Sequence, residues 1–126
     1  FRNCKFNHKE TLASISDALA TSDRIQNLDI SCLFIHPETF PTLTAALEKN
    51  QSLHRLWMPK CSLSNDQIVE LIEATKSNVS LKELGLSYNK CGLTGSEAVA
   101  ALIALNRIQV LYINKQQNEM DLFTIL

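Results

Sequence analysis

Three apolar positions spaced i, i+3, i+5 recur four times along this chain, as Ile25-Leu28-Ile30, Leu53-Leu56-Met58, Leu81-Leu84-Leu86 and Ile108-Leu111-Ile113. Successive starts lie 28, 28 and 27 residues apart. A fixed period of that length marks a stacked array, in which each unit buries its apolar face against the next instead of wrapping one central core. Each triplet predicts a short strand, near 25–30, 53–58, 81–86 and 108–113, and equal periods predict one parallel sheet.

Helix signals follow the triplets. Pro37-Glu38, Ser64-Asn65-Asp66 and Thr94-Gly95-Ser96-Glu97 are N-terminal signals whose small polar caps and acids satisfy orphan amides and suit the helix dipole. Apolar stripes at helical spacing then run Phe40/Leu43/Leu47, Ile68/Leu71/Ile72 and Val99/Leu102/Ile103. These predict helices near 38–49, 65–76 and 95–105. Asn50, Asn78 and Asn106 fall two or three residues before the next strand, where an Asn can take the left-handed turn that ends a helix.

The frame continues beyond the strand. Cys61 and Leu63 complete L-x-x-L-x-L-x-x-(N/C)-x-L over Leu53 to Leu63, and Asn89 takes the ninth slot of the next unit. On these residues the chain resembles the leucine-rich repeat family, and the period with Cys or Asn at position nine is similar to the ribonuclease-inhibitor subfamily. The resemblance implies an α/β solenoid, or horseshoe, with a parallel β-sheet on its concave face and α-helices on its convex face. It divides a single domain, 1–126, into a partial repeat 1–24, repeats 25–52, 53–80 and 81–107, and a terminal repeat or cap 108–126. It implies a binding scaffold, since the family's partners are many and unrelated.

At the start, Phe1, Cys4 and Phe6 match positions six, nine and eleven, so the chain opens partway through a repeat, and a start without Met suggests a fragment or processed product. Cys4/Phe6/Leu12/Ile15/Leu19 and Cys32/Phe34/Phe40/Leu43/Leu47 share one set of offsets. That match puts Cys32 in the ninth slot after a loop one residue short; an ungapped repeat with Leu33 inward and Cys32 exposed is the alternative. After Ile113 the motif decays into Gln116 and Asn118, followed by apolar Met120, Leu122, Phe123, Ile125 and Leu126. A final repeat needs a cover, so residues 117–126 are expected to fold back as a short helix on Ile103 and Leu111.

Composition narrows the function. The 126 residues are 45% hydrophobic with a net charge of −1, enough apolar material for a continuous core and no global charge for nucleic acid. No signal peptide and no apolar run near ~20 residues is present. Cys4, Cys32 and Cys61 share an inward slot and Cys91 lies two residues on, so all four read as small buried hydrophobes. Stacked neighbours stand close enough to oxidise, yet reduced thiols in an intracellular, reducing compartment are favoured. Asn50-Gln51-Ser52 and Asn78-Val79-Ser80 match the glycosylation sequon, which the repeat accounts for as turn residues. Cys4/His8 and Cys32/His36 are spaced as a Cys2His2 zinc set would be, but thiols turned to the core and imidazoles in solvated loops do not converge, so no metal and no cofactor is expected. G-x-S-x-G, P-loop and H-E-x-x-H patterns are absent and His54 stands alone, so the chain reads as no enzyme.

Binding is therefore sought on the strand positions that alternate with the inward ones. The central column is Asp29, Trp57, Gly85, Tyr112; Asn27, Arg55, Glu83, Val110 lie to one side, and Ser31, Pro59, Ser87, Asn114 to the other, with Lys60, Tyr88 and Lys115 next along. The one Trp and both Tyr fall on this face, whereas Phe1, Phe6, Phe34 and Phe40 fall in core slots. Gly85 between Trp57 and Tyr112 predicts a gap that a partner side chain fills. Asp29, Arg55, Trp57, Lys60, Glu83, Tyr88, Tyr112 and Lys115 form the expected protein-binding set, since Trp, Tyr and Arg dominate hot spots. Cross-strand stacking alone is the plainer account of the same aromatics. Arg2, Arg55, Lys60, Lys82 and Lys115 outnumber Asp29 and Glu83 here, while Glu38, Glu48, Asp66, Glu70, Glu73 and Glu97 belong to the helical side. The expected partner is another protein, an enzyme with an acidic-rimmed cleft in the inhibitor version, and single-stranded nucleic acid is disfavoured. The resemblance equally admits a bacterial effector in a host cytosol, or a GTPase-activator, substrate-recruiting or sensor domain of a larger protein.

Overall fold

The computed structural model describes residues 8–30, 35 and 37–113, with side chains from Leu12 onward. Helices and strands alternate as α1 (His8–Thr21), β1 (Asn27–Asp29), α2 (Phe40–Lys49), β2 (Arg55–Trp57), α3 (Asn65–Ser77), β3 (Glu83–Gly85), α4 (Leu93–Ala104) and β4 (Val110–Tyr112). The strands form one parallel sheet in the order β1-β2-β3-β4. Its register is the sequence period: Leu28, Leu56, Leu84 and Leu111 are Cα partners in turn, as are Asp29, Trp57, Gly85 and Tyr112. Each helix packs on the next, from α1 through α4.

The core lies between sheet and helices. Leu53, Leu56, Met58 and Leu63 are buried with their counterparts Leu81, Leu84 and Leu86, and meet Phe40, Leu43 and Leu47 from α2 and Ile68, Leu71 and Ile72 from α3. Val99 and Leu102 continue the stripe, but Ile103, expected inward, is 42% exposed. Positions 99, 102 and 103 share one helical face, and Ile103 is open because α4 is the last described helix and packs on α3 alone among them.

Polar side chains bind one repeat to the next. Asn78 Nδ2 donates to Leu47 O and Asn50 O, both at 2.8 Å, and its Oδ1 accepts from Ser80 N at 2.9 Å and Leu81 N at 2.8 Å. Asn50 repeats this one unit earlier, donating to Leu19 O at 2.9 Å and accepting from Ser52 N and Leu53 N. The expectation of a left-handed turn fails at both. Their backbones are extended, with φ −70° at Asn50 and −91° at Asn78, because the buried amide is used to reach across the gap between units. Only Asn106 takes the left-handed form, with φ 57°. Arg107 then occupies the bridging role, its guanidinium donating to Asn78 O and Lys76 O.

A second ladder runs through position nine. Asn89 Nδ2 donates to Met58 O at 2.9 Å, and its Oδ1 accepts from Cys61 N and Leu63 N, each at 3.0 Å. Cys61 makes the corresponding bond, its thiol donating to Ile30 O at 3.0 Å. Cys61 is thus more than a small hydrophobe: like Asn89 Nδ2, its thiol donates to a carbonyl of the preceding repeat. Cys61 and Cys91 are both buried free thiols.

Helix starts divide into local and borrowed caps. Ser64 closes a capping box with Gln67: Gln67 N donates to Ser64 Oγ, and Ser64 N to Gln67 Oε1. For α2 the cap residue is Thr39, after the Pro37-Glu38 signal, and its side chain makes no capping bond. The third signal was misplaced, since α4 begins at Leu93 behind Gly92 and Thr94 to Glu97 lie inside it. Its orphan amides go to the preceding repeat, where Asn65 Oδ1 accepts from Gly92 N at 2.7 Å and Gly95 N at 2.9 Å.

Several expectations lie outside the described residues: the core slots of Phe1, Phe6 and Phe34, the choice between Cys32 and Leu33, the Cys4/His8 and Cys32/His36 pairs, Arg2, Ser31, Asn114 and Lys115, and the fold of 117–126. No described helix is long and apolar enough to cross a membrane.

Candidate protein-binding face

Parallel pairing carries the strand side chains that point away from the helices into columns. Trp57 on β2 sits between Asp29 on β1 and Gly85 on β3, with Tyr112 on β4 one strand further. The gap expected at Gly85 is already filled. A Cβ built on Gly85 would lie 2.5 Å from Trp57 Cε3 and 2.7 Å from Cδ2, so the indole of β2 lies directly on the β3 backbone. Having crossed Gly85, the ring meets Tyr112 edge-on, with centroids 4.9 Å apart and planes at 69°. Glycine here serves the protein's own Trp, which is half-buried instead of freely exposed.

Cations cover the other aromatic surfaces. Arg55, two residues before Trp57 and so on the same side of β2, places its guanidinium carbon 4.5 Å from the indole centroid. Lys60 Nζ stands 5.0 Å from the centre of the Tyr88 ring. Lys60 and Tyr88 are one period apart, and both hold left-handed backbones, φ 56° and 62°. That conformation is unfavourable for residues with a Cβ, and nothing in the residue types signals it. The same loop geometry in successive repeats brings the two side chains together.

Of the expected set, the structure thus joins Arg55, Trp57 and Tyr112 in one cluster and Lys60 with Tyr88 in another. Glu83 is half-buried beside Arg55 in register, and Asp29 is half-buried beside Trp57. Lys115 lies beyond the described residues. Ser87, expected on the exposed flank, is only 9% exposed, and Pro59 is intermediate. Tyr112 is the most open of the described aromatics at 47% exposure.

Groups with reactive potential lie elsewhere. Cys91 is buried, which raises its thiol pKa against a smaller opposing effect of the Ser96 hydroxyl, so the nucleophilic thiolate is disfavoured. His54 is exposed on the strand approach. Among the described residues no group of three His, Cys, Asp or Glu is arranged to hold a metal ion. A cleft of about 400 Å³ on the helical side is bordered by Ile35, Phe40, Pro41, Ser64, Gln67 and Glu70, and another of about 310 Å³ lies between α1 and α2.

The sequon residues are built into the frame. Both Asn50 and Asn78 are buried with their amide nitrogens bonded to carbonyls, and Ser52 Oγ and Ser80 Oγ donate to Ile25 O and Leu53 O, each at 2.8 Å.

No family model and no curated protein matches the chain. Among solved structures it is similar to the tropomodulin C-terminal domain of Caenorhabditis elegans, with TM-score 0.72 and 16% identity over 86% of this chain and 67% of that one. At that identity the likeness speaks for fold. The fold is an α/β leucine-rich-repeat solenoid with an all-parallel sheet.

Proposed function

We propose that this domain binds another protein through the sheet face opposite its helices, with Trp57 and Tyr112 as the centre of the contact. One observation carries the reading: the only Trp of the chain and an exposed Tyr meet edge-on across three strands, flanked by a cation that rests on the indole. A rigid aromatic pair with an adjacent Arg has the composition of an interface centre. Packing alone accounts for the contact with Gly85, but it leaves Tyr112 at 47% exposure with no further strand over it among the described residues. An inhibitor that covers an enzyme's acidic-rimmed cleft is the specific form; an adaptor or regulatory domain of a larger protein is the alternative. A reducing, intracellular setting goes with both forms, since Cys61 donates its thiol proton within the frame.

Affinity capture with the purified domain, then an activity assay on what binds, tests the reading. Trp57→Ala and Tyr112→Ala should each weaken the captured complex, Trp57→Ala by at least about 2 kcal/mol or roughly thirtyfold. Exposed helix variants Glu70→Ala and Glu73→Ala should bind as the parent does. Normal binding by the aromatic variants with failure of the helix variants would move the interface to the convex side. Because Trp57 also packs on Gly85, thermal unfolding must accompany each affinity, so that loss of fold is not read as loss of contact.

A further inference from the structure

Arg55 stands out among the charged groups because its guanidinium is held in place without an anion. It lies over Trp57 at 4.5 Å, and no salt bridge joins it to any described residue, although Glu83 is its direct neighbour in register. Its Nε is buried with no hydrogen-bond acceptor, and no described side chain or carbonyl engages its two terminal nitrogens. A guanidinium lying over a ring turns one side to it, and what it offers a partner is the fork of terminal N–H donors that matches a carboxylate. Lys60 repeats the arrangement one unit along, a cation resting on Tyr88. Asp29, the nearest carboxylate in the Trp57 column, already has a partner of its own.

We propose that Arg55 reads an aspartate or glutamate side chain of the partner, presented beside the apolar or aromatic group that covers Trp57 and Tyr112. This rests on the sheet-face reading and adds a chemical class of ligand to it. The partner carboxylate would meet the terminal nitrogens edge-on while the neighbouring side chain lies across the indole and phenol. Glu83 supplies the sign of the effect. It opposes an acidic partner, so the face is not optimised for one, and removing that charge should improve the fit.

The probe is a library of random twelve-residue peptides displayed on phage and selected on the parent domain, with winners remade as free peptides and measured by titration. Selected peptides should carry Asp or Glu within two residues of an aromatic or Leu. Arg55→Gln should weaken them by on the order of tenfold or more, and Glu83→Gln should tighten them. Tyr112→Ala should weaken them in a domain that still melts cooperatively, its ring being 47% exposed. Peptides that need Tyr112 but lack an acid, ignore Arg55→Gln, or are basic and weakened by Glu83→Gln overturn the inference and leave the sheet-face reading in place. Peptides indifferent to Arg55→Gln and Tyr112→Ala but lost in Glu70→Ala overturn both. A selection that yields no binder also counts against the inference, because a preformed Arg edge beside an aromatic pair is a site that short peptides can reach.

Discussion

A single buried amide shows how much of this fold rests on side chains that no apolar pattern reports. Asn78 makes four bonds to backbone groups spread over three successive turns of the array. Truncation strands two carbonyls and two amides, and with each buried, unsatisfied group costing ~1–3 kcal/mol before relaxation, Asn78→Ala should lose about 2–4 kcal/mol in urea unfolding. Asn106→Gly, at φ 57°, should change stability by no more than a few tenths. Equal losses at the two sites would show that the bridge carries no special weight. The sequence offered all three Asn residues at one period and assigned them one role. The signal that separates them is the Asn-x-Ser-Leu string at 50–53 and 78–81, which becomes Asn106-Arg107-Ile108 in the shortened repeat. Position nine was more legible, since Asn or Cys in that slot already implied an inward residue. That the Cys61 thiol donates like the Asn89 amide depends on how close Ile30 O comes across the repeat, which residue spacing does not report.

Between elements, legibility depends on distance along the chain. Strand positions and register were visible because the same spacing of apolar residues that defines each strand also defines its partner. The Ser64 cap was visible because its capping box closes within three residues. The start of α4 was not, because its acceptor is Asn65, 27 and 30 residues before the amides it takes. Gly85 was misread for a similar reason: its column was correct, but a column does not say in which direction a large neighbour leans. The indole leans from β2 onto β3, and this gives a coupling that can be measured. Gly85→Ala forces the ring off its seat and should cost about 1–3 kcal/mol, with altered Trp fluorescence. In a Trp57→Ala background the same substitution should cost far less, so the two changes will not add. Additive losses would mean that the Gly85 backbone, and not the indole, sets the cost.

For the whole molecule, stability follows from neighbours, because a solenoid unit is held by the units on either side. β2 and β3 have strands on both sides, and Leu56 and Leu84 within them, like Leu53 and Leu81 two residues before them, are at most 1% exposed. β4 pairs with β3 alone among the described residues; Ile108 and Leu111 are half-buried, and Leu93 at the start of α4, Ile103 in its last turn and Leu105 just after it are 59%, 42% and 45% exposed. Native-state hydrogen exchange should therefore be graded. The Met58 amide, bonded to Gly85 O, should exchange near the global unfolding limit, while the Leu86 amide, bonded to Tyr112 O, opens when β4 leaves and should exchange faster. Removal of residues 117–126, whose apolar residues were expected to cover Ile103 and Leu111, should raise the Leu86 rate more than the Met58 rate and lower the melting temperature. One common rate for both amides would mean that the array unfolds as a block. An unchanged melting temperature would mean that those ten residues do not cover the last repeat, and that the apolar surface around Ile103 is open in the folded chain.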